Sequence, residues 1–217
     1  MRNQKSPAAV HLNVTLAENV TLAELIAGCP SVELAVGTIL HAAELEDVEL
    51  ILVEHGVVVL RTVAPGSSRR TITCHAGAGG LILSPGDGEQ LAALTDAKLK
   101  TISSSMRERL LTEPAAARLL VDGLAETLRQ KHATIASMAH LHHVDRVREK
   151  LLELAREHGR VSRESVRLDF PLTHDLLGEM TGSARETVTR ALDELQREGF
   201  VVREGRTYSL HVSPDVL

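Results

Sequence analysis

The sequence predicts an α+β protein in which an antiparallel β-barrel precedes a long helix and a small helical domain with a β-hairpin. Three observations support this fold class. Short β-branched runs separated by glycine and proline turns extend from Val32 to about Ile102. A continuous helical pattern follows, and two short amphipathic helices and a hairpin come after it. The expected domains are residues 1–112 for the barrel, 113–143 for the long helix and hinge, and 144–217 for the last domain.

Composition narrows the possible classes of protein. Of 217 residues, 43% are hydrophobic and 24% are charged, but Trp is absent, with one Tyr and two Phe. The core must therefore consist of Leu, Val, Ile and Ala. No apolar run approaches the roughly 20 residues that span a bilayer, so we expect a cytoplasmic protein without membrane contact. Cys29 and Cys74 are too few for a disulfide framework and are expected to be reduced thiols.

The barrel strands are predicted from β-branched residues and their punctuation. Residues 49–56, 57–63 and 70–75 are three such runs, separated by Gly56 and by a polar turn at 64–68. Glycine-rich breaks at 76–80 and 84–88 separate further short strands. Several short strands at close spacing are typical of a small antiparallel barrel or jelly roll.

A helix of about 28 residues, 113–141, carries apolar residues at heptad spacing with one interruption at Lys131. Such a seam either packs on its own barrel or pairs with a second copy, and its length favours the homodimer. A second helix is predicted over 144–158, ending at Gly159, so residues 140–145 form the expected hinge. The predicted dimer contacts are Val121, Leu124, Leu128, Ile135 and Met138.

Residues 172–192 have the spacing of a helix-turn-helix. Thr173 can cap a short helix that turns Leu176 and Leu177 inward, and Gly178 leaves room for a closely crossing helix. Gly182 suits a tight turn with positive φ. In the second helix Ser183 is the expected cap, and the expected core residues are Val188, Ala191, Leu192 and Leu195.

The exposed side of the second helix has groups that suit base edges in the major groove. Arginine donates two hydrogen bonds to guanine, and glutamate accepts one from cytosine. A surface salt bridge between Glu186 and Arg190, four residues apart, is the alternative interpretation. The net charge is −5, and from Val144 onward 12 Lys/Arg stand against 14 Asp/Glu, so any DNA-binding charge must lie on one face. The predicted base-reading residues are Arg185, Glu186, Thr189 and Arg190.

After this helix, residues 199–211 alternate around Glu204-Gly205, which predicts a β-hairpin wing. Arg203 and Arg206 near its tip are expected to contact DNA phosphates.

Residues 182–190 (Gly-Ser-Ala-Arg-Glu-Thr-Val-Thr-Arg) resemble the recognition helix of the superfamily of the cyclic-AMP receptor protein and the fumarate–nitrate reduction regulator. The resemblance covers about residues 32–212, strongly after Val144. It implies a cyclic-nucleotide-binding-like barrel of cupin type, a dimer helix and a winged helix-turn-helix. It also implies a bacterial-type, homodimeric transcription regulator and not an enzyme. Ala184 stands where a serine is common in the family, so one of the family's contacts to the DNA backbone is not expected here. Base reading then falls to Arg185, Glu186 and Arg190, and phosphate contacts to Thr173, Ser183 and Thr187.

The resemblance further implies a pseudo-palindromic double-stranded DNA operator, with half-sites resembling TGTGA whose centres lie about 34 Å apart. RNA polymerase is an additional partner if the protein is an activator.

The effector region departs from the family. Members that bind a cyclic nucleotide carry Gly-Glu and then Arg-Ser in a phosphate cassette, whereas residues 79–90 here contain no arginine, and the next one is Arg107. A buried phosphate without a cation or an N–H cradle is poorly compensated, so cyclic AMP is not an expected ligand.

Some relatives bind haem, and four residues besides His11 are candidate ligands here: Cys74, His75, His41 and His55. The histidines at 140, 142 and 143 are a candidate metal site, with a hydrated hinge as the alternative. A haem- or metal-dependent gas or redox sensor of the same family is therefore an alternative function. A cupin-like metal enzyme fused to a helix-turn-helix is another, but His55 and His75 lack the spacing of a cupin motif.

Overall fold

A computed structural model describes residues 22–63, 66, 69–162, 165–205 and 207–212. These residues divide into two compact units, one reaching Ile135 and one beginning at Ala136. The α+β fold class is confirmed. In the described residues no helix has the length and apolar character needed to cross a membrane.

The first unit contains α1 (Leu22–Leu25), β1 (Ser31–Leu34), β2 (Ile39–His41), β3 (Val48–His55), β4 (Val58–Val63), β5 (Arg70–Ala76), β6 (Leu81–Leu83), β7 (Glu89–Ala93), β8 (Ala97–Ser103), α2 (Ser104–Leu111) and most of α3 (Pro114–His140).

Two four-stranded antiparallel sheets form the barrel, with strand orders β1-β8-β3-β6 and β2-β7-β4-β5. Both sheets contribute side chains to one buried apolar cluster, so the interior is packed with aliphatic groups. Members from the two sheets include Leu34, Ile51, Val53, Ile82, Leu99, Val58, Leu60, Cys74, Leu91 and Ala93.

The strand β3 explains why its sequence is apolar without alternation. Ile51 and Val53 face the barrel interior, whereas Leu50 and Leu52 face a second cluster on the outer side. Successive side chains of a strand point to opposite faces, so a strand that is buried on both faces needs a continuous apolar run. The outer cluster also takes side chains from the three helices: Leu22, Ile26, Leu110, Ala116, Leu119 and Leu120.

Helix α3 lies along the outer side of the first sheet. Its first residue is Pro114, a position where the missing N–H of proline costs nothing. A Cβ at Gly123 would lie 3.0 Å from the side chain of Leu81, which is a tight contact, so glycine favours this close approach. One turn later the Thr127 hydroxyl donates to the Leu81 carbonyl at 2.7 Å. One face of α3 is therefore held against β6.

The second unit contains α4 (His143–His158), β9 (Gly159–Val161), β10 (Val166–Leu168), α5 (His174–Thr181), α6 (Arg185–Arg197), β11 (Val201–Glu204) and β12 (Thr207–Leu210). The hairpin β11–β12 agrees with the predicted wing. It belongs to a four-stranded antiparallel sheet in the order β11-β12-β10-β9, and the sequence analysis did not predict β9 and β10. Leu141 and His142 separate α3 from α4, where the hinge was expected.

Candidate nucleic-acid interface

The α5–turn–α6 element has the geometry that its sequence predicts. Thr173 caps α5 by accepting a hydrogen bond from the Leu176 amide at 3.1 Å. Gly182 ends the helix in the left-handed conformation, with φ at 63°. A Cβ at Gly178 would lie 2.7 Å from the Ser183 carbonyl oxygen, so the helix and the following turn approach too closely for any larger residue. Both glycine predictions are therefore confirmed.

One capping prediction is wrong. The N-cap of α6 is Ala184, whose carbonyl accepts from the amides of Thr187 and Val188, both at 3.0 Å. The Ser183 amide instead closes the turn onto the Gly178 carbonyl, and its hydroxyl donates to the Thr181 carbonyl at 3.4 Å. Because the turn uses one residue more than expected, no side-chain oxygen caps α6.

Helix α6 is divided into a buried and an exposed face. Its core residues Val188, Ala191, Leu192 and Leu195 are each at most 1% exposed, as predicted. On the opposite side Arg185, Glu186 and Arg190 are exposed within the first two turns. The helix thus presents two guanidinium groups and a carboxylate to solvent while its other side anchors it in the domain.

The exposed arginines of α6 are only weakly tethered. An Arg185 guanidinium nitrogen lies 3.5 Å from an Asp175 carboxylate oxygen, and both side chains are more than half exposed. An exposed pair of this kind contributes about 0–1 kcal/mol. Arg190 Nε donates to the Glu186 backbone carbonyl at 3.4 Å, and no ion pair joins Glu186 to Arg190 in the described structure. The salt-bridge interpretation of these two residues is therefore not supported.

Thr189 differs from its neighbours because its hydroxyl is engaged within the protein. The Thr189 hydroxyl donates to the Arg185 carbonyl at 3.0 Å and also lies 2.8 Å from Nδ1 of His174. Burial lowers the pKa of His174, and the positive charges of Arg203 and Arg185 add to this effect. The sequence analysis missed His174 because its partner lies 15 residues away on another helix.

Of the other predicted phosphate contacts, Thr187 is half-buried on α6. Arg203 is exposed on β11, and its Nε donates to the Gly205 carbonyl at 3.0 Å. Gly205 has φ at 66°, which suits the tight turn of the wing. Arg206 lies outside the described residues.

The five predicted dimer contacts lie in different surroundings in the structure. Val121, Leu128 and Ile135 lie seven residues apart and are 60%, 54% and 65% exposed. Leu124 instead packs against the outer cluster of the barrel. Met138 is half-buried, and a Cβ at Gly182 would lie 3.2 Å from its sulfur. Three exposed apolar residues thus form a row on α3: Val121, Leu128 and Ile135. We call this row the α3 stripe.

Several backbone amides of the stretch that corresponds to a phosphate cassette already donate hydrogen bonds within the protein. The amides of Gly79, Gly80 and Ser84 donate to the carbonyls of Val53, Gly77 and Glu49 at 2.8, 2.9 and 2.9 Å. The Gly86 amide donates to the Glu89 carboxylate at 3.1 Å. This N–H is therefore already hydrogen-bonded to an acidic side chain and is not available to a bound anion.

Strand pairing brings one arginine next to this stretch that the sequence analysis missed. Arg61 on β4 is the cross-strand neighbour of Gln90 on β7. The adjacent pair, Leu60 and Leu91, belongs to the interior cluster, so alternation places Arg61 on the outer face of the sheet.

Three of the candidate haem ligands, Cys74, His41 and His55, do not lie together in the described residues. Cys74 is buried in the interior cluster of the barrel, while His41 and His55 are exposed on strands of different sheets. His75, the next residue after Cys74 on β5, is not in that cluster. His55 and His75 also lie in separate sheets, unlike the adjacent strands that a cupin metal site needs.

At the hinge, the His143 ring nitrogen contacts the Arg146 guanidinium, and a cation beside the ring disfavours a second cation there. The His140 side chain lies outside the described set. Cys29 and Cys74 are both buried, and neither takes part in a disulfide in the described structure.

Comparison with known proteins finds a match to the Crp-like helix-turn-helix domain over residues 145–213. A curated relative, the global nitrogen regulator of Synechococcus elongatus, is 31% identical over 96 residues, which cover 44% of this chain and 43% of that protein. The transcriptional regulator SdrP of Thermus thermophilus is 35% identical over 109 residues, which cover 50% of each chain. The chain thus matches half or less of the length of these relatives.

Among solved structures, a mutant of CooA from Carboxydothermus hydrogenoformans aligns with a TM-score of 0.72 at 18% identity, covering 86% of this chain and 85% of that one. A likeness at this identity shows a shared fold.

Proposed function

Because the chain belongs to the superfamily of the cyclic-AMP receptor protein and the fumarate–nitrate reduction regulator, we propose that it binds double-stranded DNA as a homodimer and recognises a pseudo-palindromic operator. It is a transcription regulator, and its curated relatives are named as regulators. In this proposal α6 enters the major groove and the wing contacts the phosphate backbone. The proposal does not include a haem or metal cofactor.

The observation that carries the DNA-binding proposal is the exposed face of α6. Arg185, Glu186 and Arg190 occupy its first two turns, where side chains of a recognition helix reach base edges. Val188 and Leu192 anchor the opposite face. The net charge of the chain is −5, so the chain as a whole is not attracted to the DNA phosphates, and general electrostatic attraction does not account for the exposed face of α6. Side chains placed for direct readout do explain it.

The α3 stripe supports the homodimer. Its three residues follow the heptad spacing of a two-helix seam, and each is more than half exposed in a single chain. Large aliphatic residues in one row on a soluble helix usually mark an interface. Two-fold pairing along α3 would place two copies of α6 for two half-sites of one operator.

The barrel is proposed not to bind cyclic AMP. Its interior is filled with aliphatic side chains, and five amides of the cassette stretch already donate within the protein, including that of Glu89 to the Gly86 carbonyl at 3.0 Å. Asp87 and Glu89 would also repel a phosphate. This supports a sensor domain that has lost the nucleotide site of its relatives.

Selection from a random double-stranded oligonucleotide pool tests the DNA-binding proposal. We expect wild-type protein to enrich a two-fold symmetric motif whose half-site centres lie about 10 base pairs apart. The control is a variant with Arg185, Glu186 and Arg190 all changed to Ala, which keeps the buried face of α6. Failure of the wild-type protein to enrich any motif would refute the proposal.

A further inference from the structure

We propose that His174 is a positioning residue for base recognition, and that it makes Thr189 read the methyl group of a thymine instead of donating a hydrogen bond to a base. This inference rests on the proposed DNA binding through α6. It assigns a specificity role to a residue outside the recognition helix.

The hydrogen bonds around Thr189 leave its hydroxyl no hydrogen for DNA. A threonine hydroxyl has one hydrogen, and the Arg185 carbonyl, which can only accept, takes it at 3.0 Å. His174 Nδ1, at 2.8 Å from the same oxygen, must then be the donor. This assignment of the imidazole hydrogen follows from completing the network.

The engaged hydroxyl restricts what Thr189 can recognise. In the major groove guanine offers only acceptors at N7 and O6, and thymine offers an O4 acceptor and a methyl group. A hydroxyl without a free hydrogen cannot donate to any of these acceptors, and its one remaining lone pair could accept only from an adenine or cytosine amino group. The Thr189 methyl group takes no part in these hydrogen bonds, and apolar contact with the thymine methyl is the base contact that suits it.

His174 is needed because the helix alone does not fix this arrangement. Threonine in a helix divides between two rotamers, since its hydroxyl can bond to a carbonyl in the preceding turn from either. The imidazole of α5 meets the hydroxyl oxygen in the rotamer that the structure shows, with Nδ1 at 2.8 Å, and this contact favours that rotamer. His174 is half-buried at the start of α5, directly after the cap residue Thr173, so its own position is well determined.

Replacement of thymine by deoxyuridine removes only the methyl group and therefore measures this contact directly. The probe is the operator that the wild-type protein selects, with each thymine of a half-site replaced in turn by deoxyuridine. Removing one buried methyl corresponds to about a fourfold loss of affinity. We expect such a loss at one thymine per half-site for the wild-type protein.

Four variants identify the groups responsible. Thr189→Ser lacks the methyl and should show almost no discrimination, whereas Thr189→Val keeps a methyl and should discriminate like wild type. His174→Ala leaves Thr189 free to adopt either rotamer, so about half of the molecules present the hydroxyl instead of the methyl group to the base. The ratio of affinity for thymine DNA to affinity for deoxyuridine DNA should then fall to about twofold. His174→Asn, whose amide nitrogen can donate near the position of Nδ1, should restore the wild-type ratio. Each result is a ratio of two affinities for one protein sample, so partial unfolding of a variant does not change it.

A double variant separates positioning from a merely structural role. If His174 acts through the Thr189 hydroxyl, His174→Ala should leave the ratio unchanged in the Thr189→Val background. Two results would overturn the inference while leaving DNA binding intact. One is an equal loss of affinity on deoxyuridine substitution for Thr189→Ser and wild type. The other is a wild-type ratio of thymine to deoxyuridine affinity for His174→Ala. If wild-type protein selects no motif at all, the proposed function fails and this inference fails with it.

Discussion

Disruption of the α3 stripe should separate the dimer without unfolding the chain. Leu128 is 54% exposed and Ile135 is 65% exposed in one protomer, so the fold itself does not need them. Burying a whole aliphatic side chain contributes about 1.5–3 kcal/mol, so burial of the exposed half of Leu128 in each of two protomers contributes about 1.5–3 kcal/mol in all. Leu128→Asp should therefore weaken dimerisation by about 10- to 150-fold, and the two carboxylates facing each other add repulsion.

The double variant Leu128→Asp/Ile135→Asp enlarges the effect. The two positions are about 10 Å apart along the helix, so their contributions should nearly add and the dissociation constant should rise at least about 300-fold. Analytical ultracentrifugation over a wide concentration range measures this constant. Leu111→Asp is the matched control, because Leu111 is 47% exposed at the end of α2, outside the α3 stripe. The reasoning is refuted if the double variant remains a dimer, or if the control also dissociates.

Three further predictions concern the wing, the barrel and His174. Arg203→Ala should weaken binding to all DNA sequences alike and reduce the slope of log affinity against log salt by about 0.9, whereas Arg197→Ala, at the far end of α6, should change neither; a salt titration decides this. Millimolar cyclic AMP should leave the melting temperature unchanged, since a ligand at a hundred times its dissociation constant would stabilise the fold by about 2.7 kcal/mol. Burial lowers the pKa of His174 below its usual 6.5, so the unfolded chain takes up the proton first and the free energy of unfolding should fall as pH drops below about 6.5. His174→Asn should remove that part of the pH dependence in denaturant titrations, and an unchanged difference between the two proteins would count against the assigned pKa direction.

The helix-turn-helix could be predicted because its constraints are local. The backbone needs a cap, a close approach and a positive φ within a few residues of one another. These needs are met by Thr173, Gly178 and Gly182 in turn. The exact start of α6 was not predictable in the same way. Ser183 has the side chain expected of a cap, but its amide bonds to the Gly178 carbonyl, and the helix begins one residue later with Ala184 as its N-cap.

Contacts between distant segments escaped the sequence analysis. The heptad pattern treated Leu124 and Leu128 alike, but the barrel covers Leu124 and leaves Leu128 exposed. The pairing of β4 with β7 brings Arg61 beside Gln90, although 29 positions separate them in the sequence. Periodicity shows which side of an element is apolar, but the surface that covers it depends on packing.

The most direct test of base reading by α6 compares Arg190→Ala with Arg197→Ala. Both variants remove one exposed arginine from the same helix, so their change in net charge is identical. Fluorescence anisotropy should be measured on the selected operator and on the same DNA with each half-site base pair changed in turn. We predict that Arg190→Ala loses about 1–3 kcal/mol on the selected operator and loses its preference at one G·C pair, while Arg197→Ala behaves as wild type. If Arg190→Ala keeps the wild-type preference at every base pair, α6 does not read DNA through this residue and the central claim is contradicted.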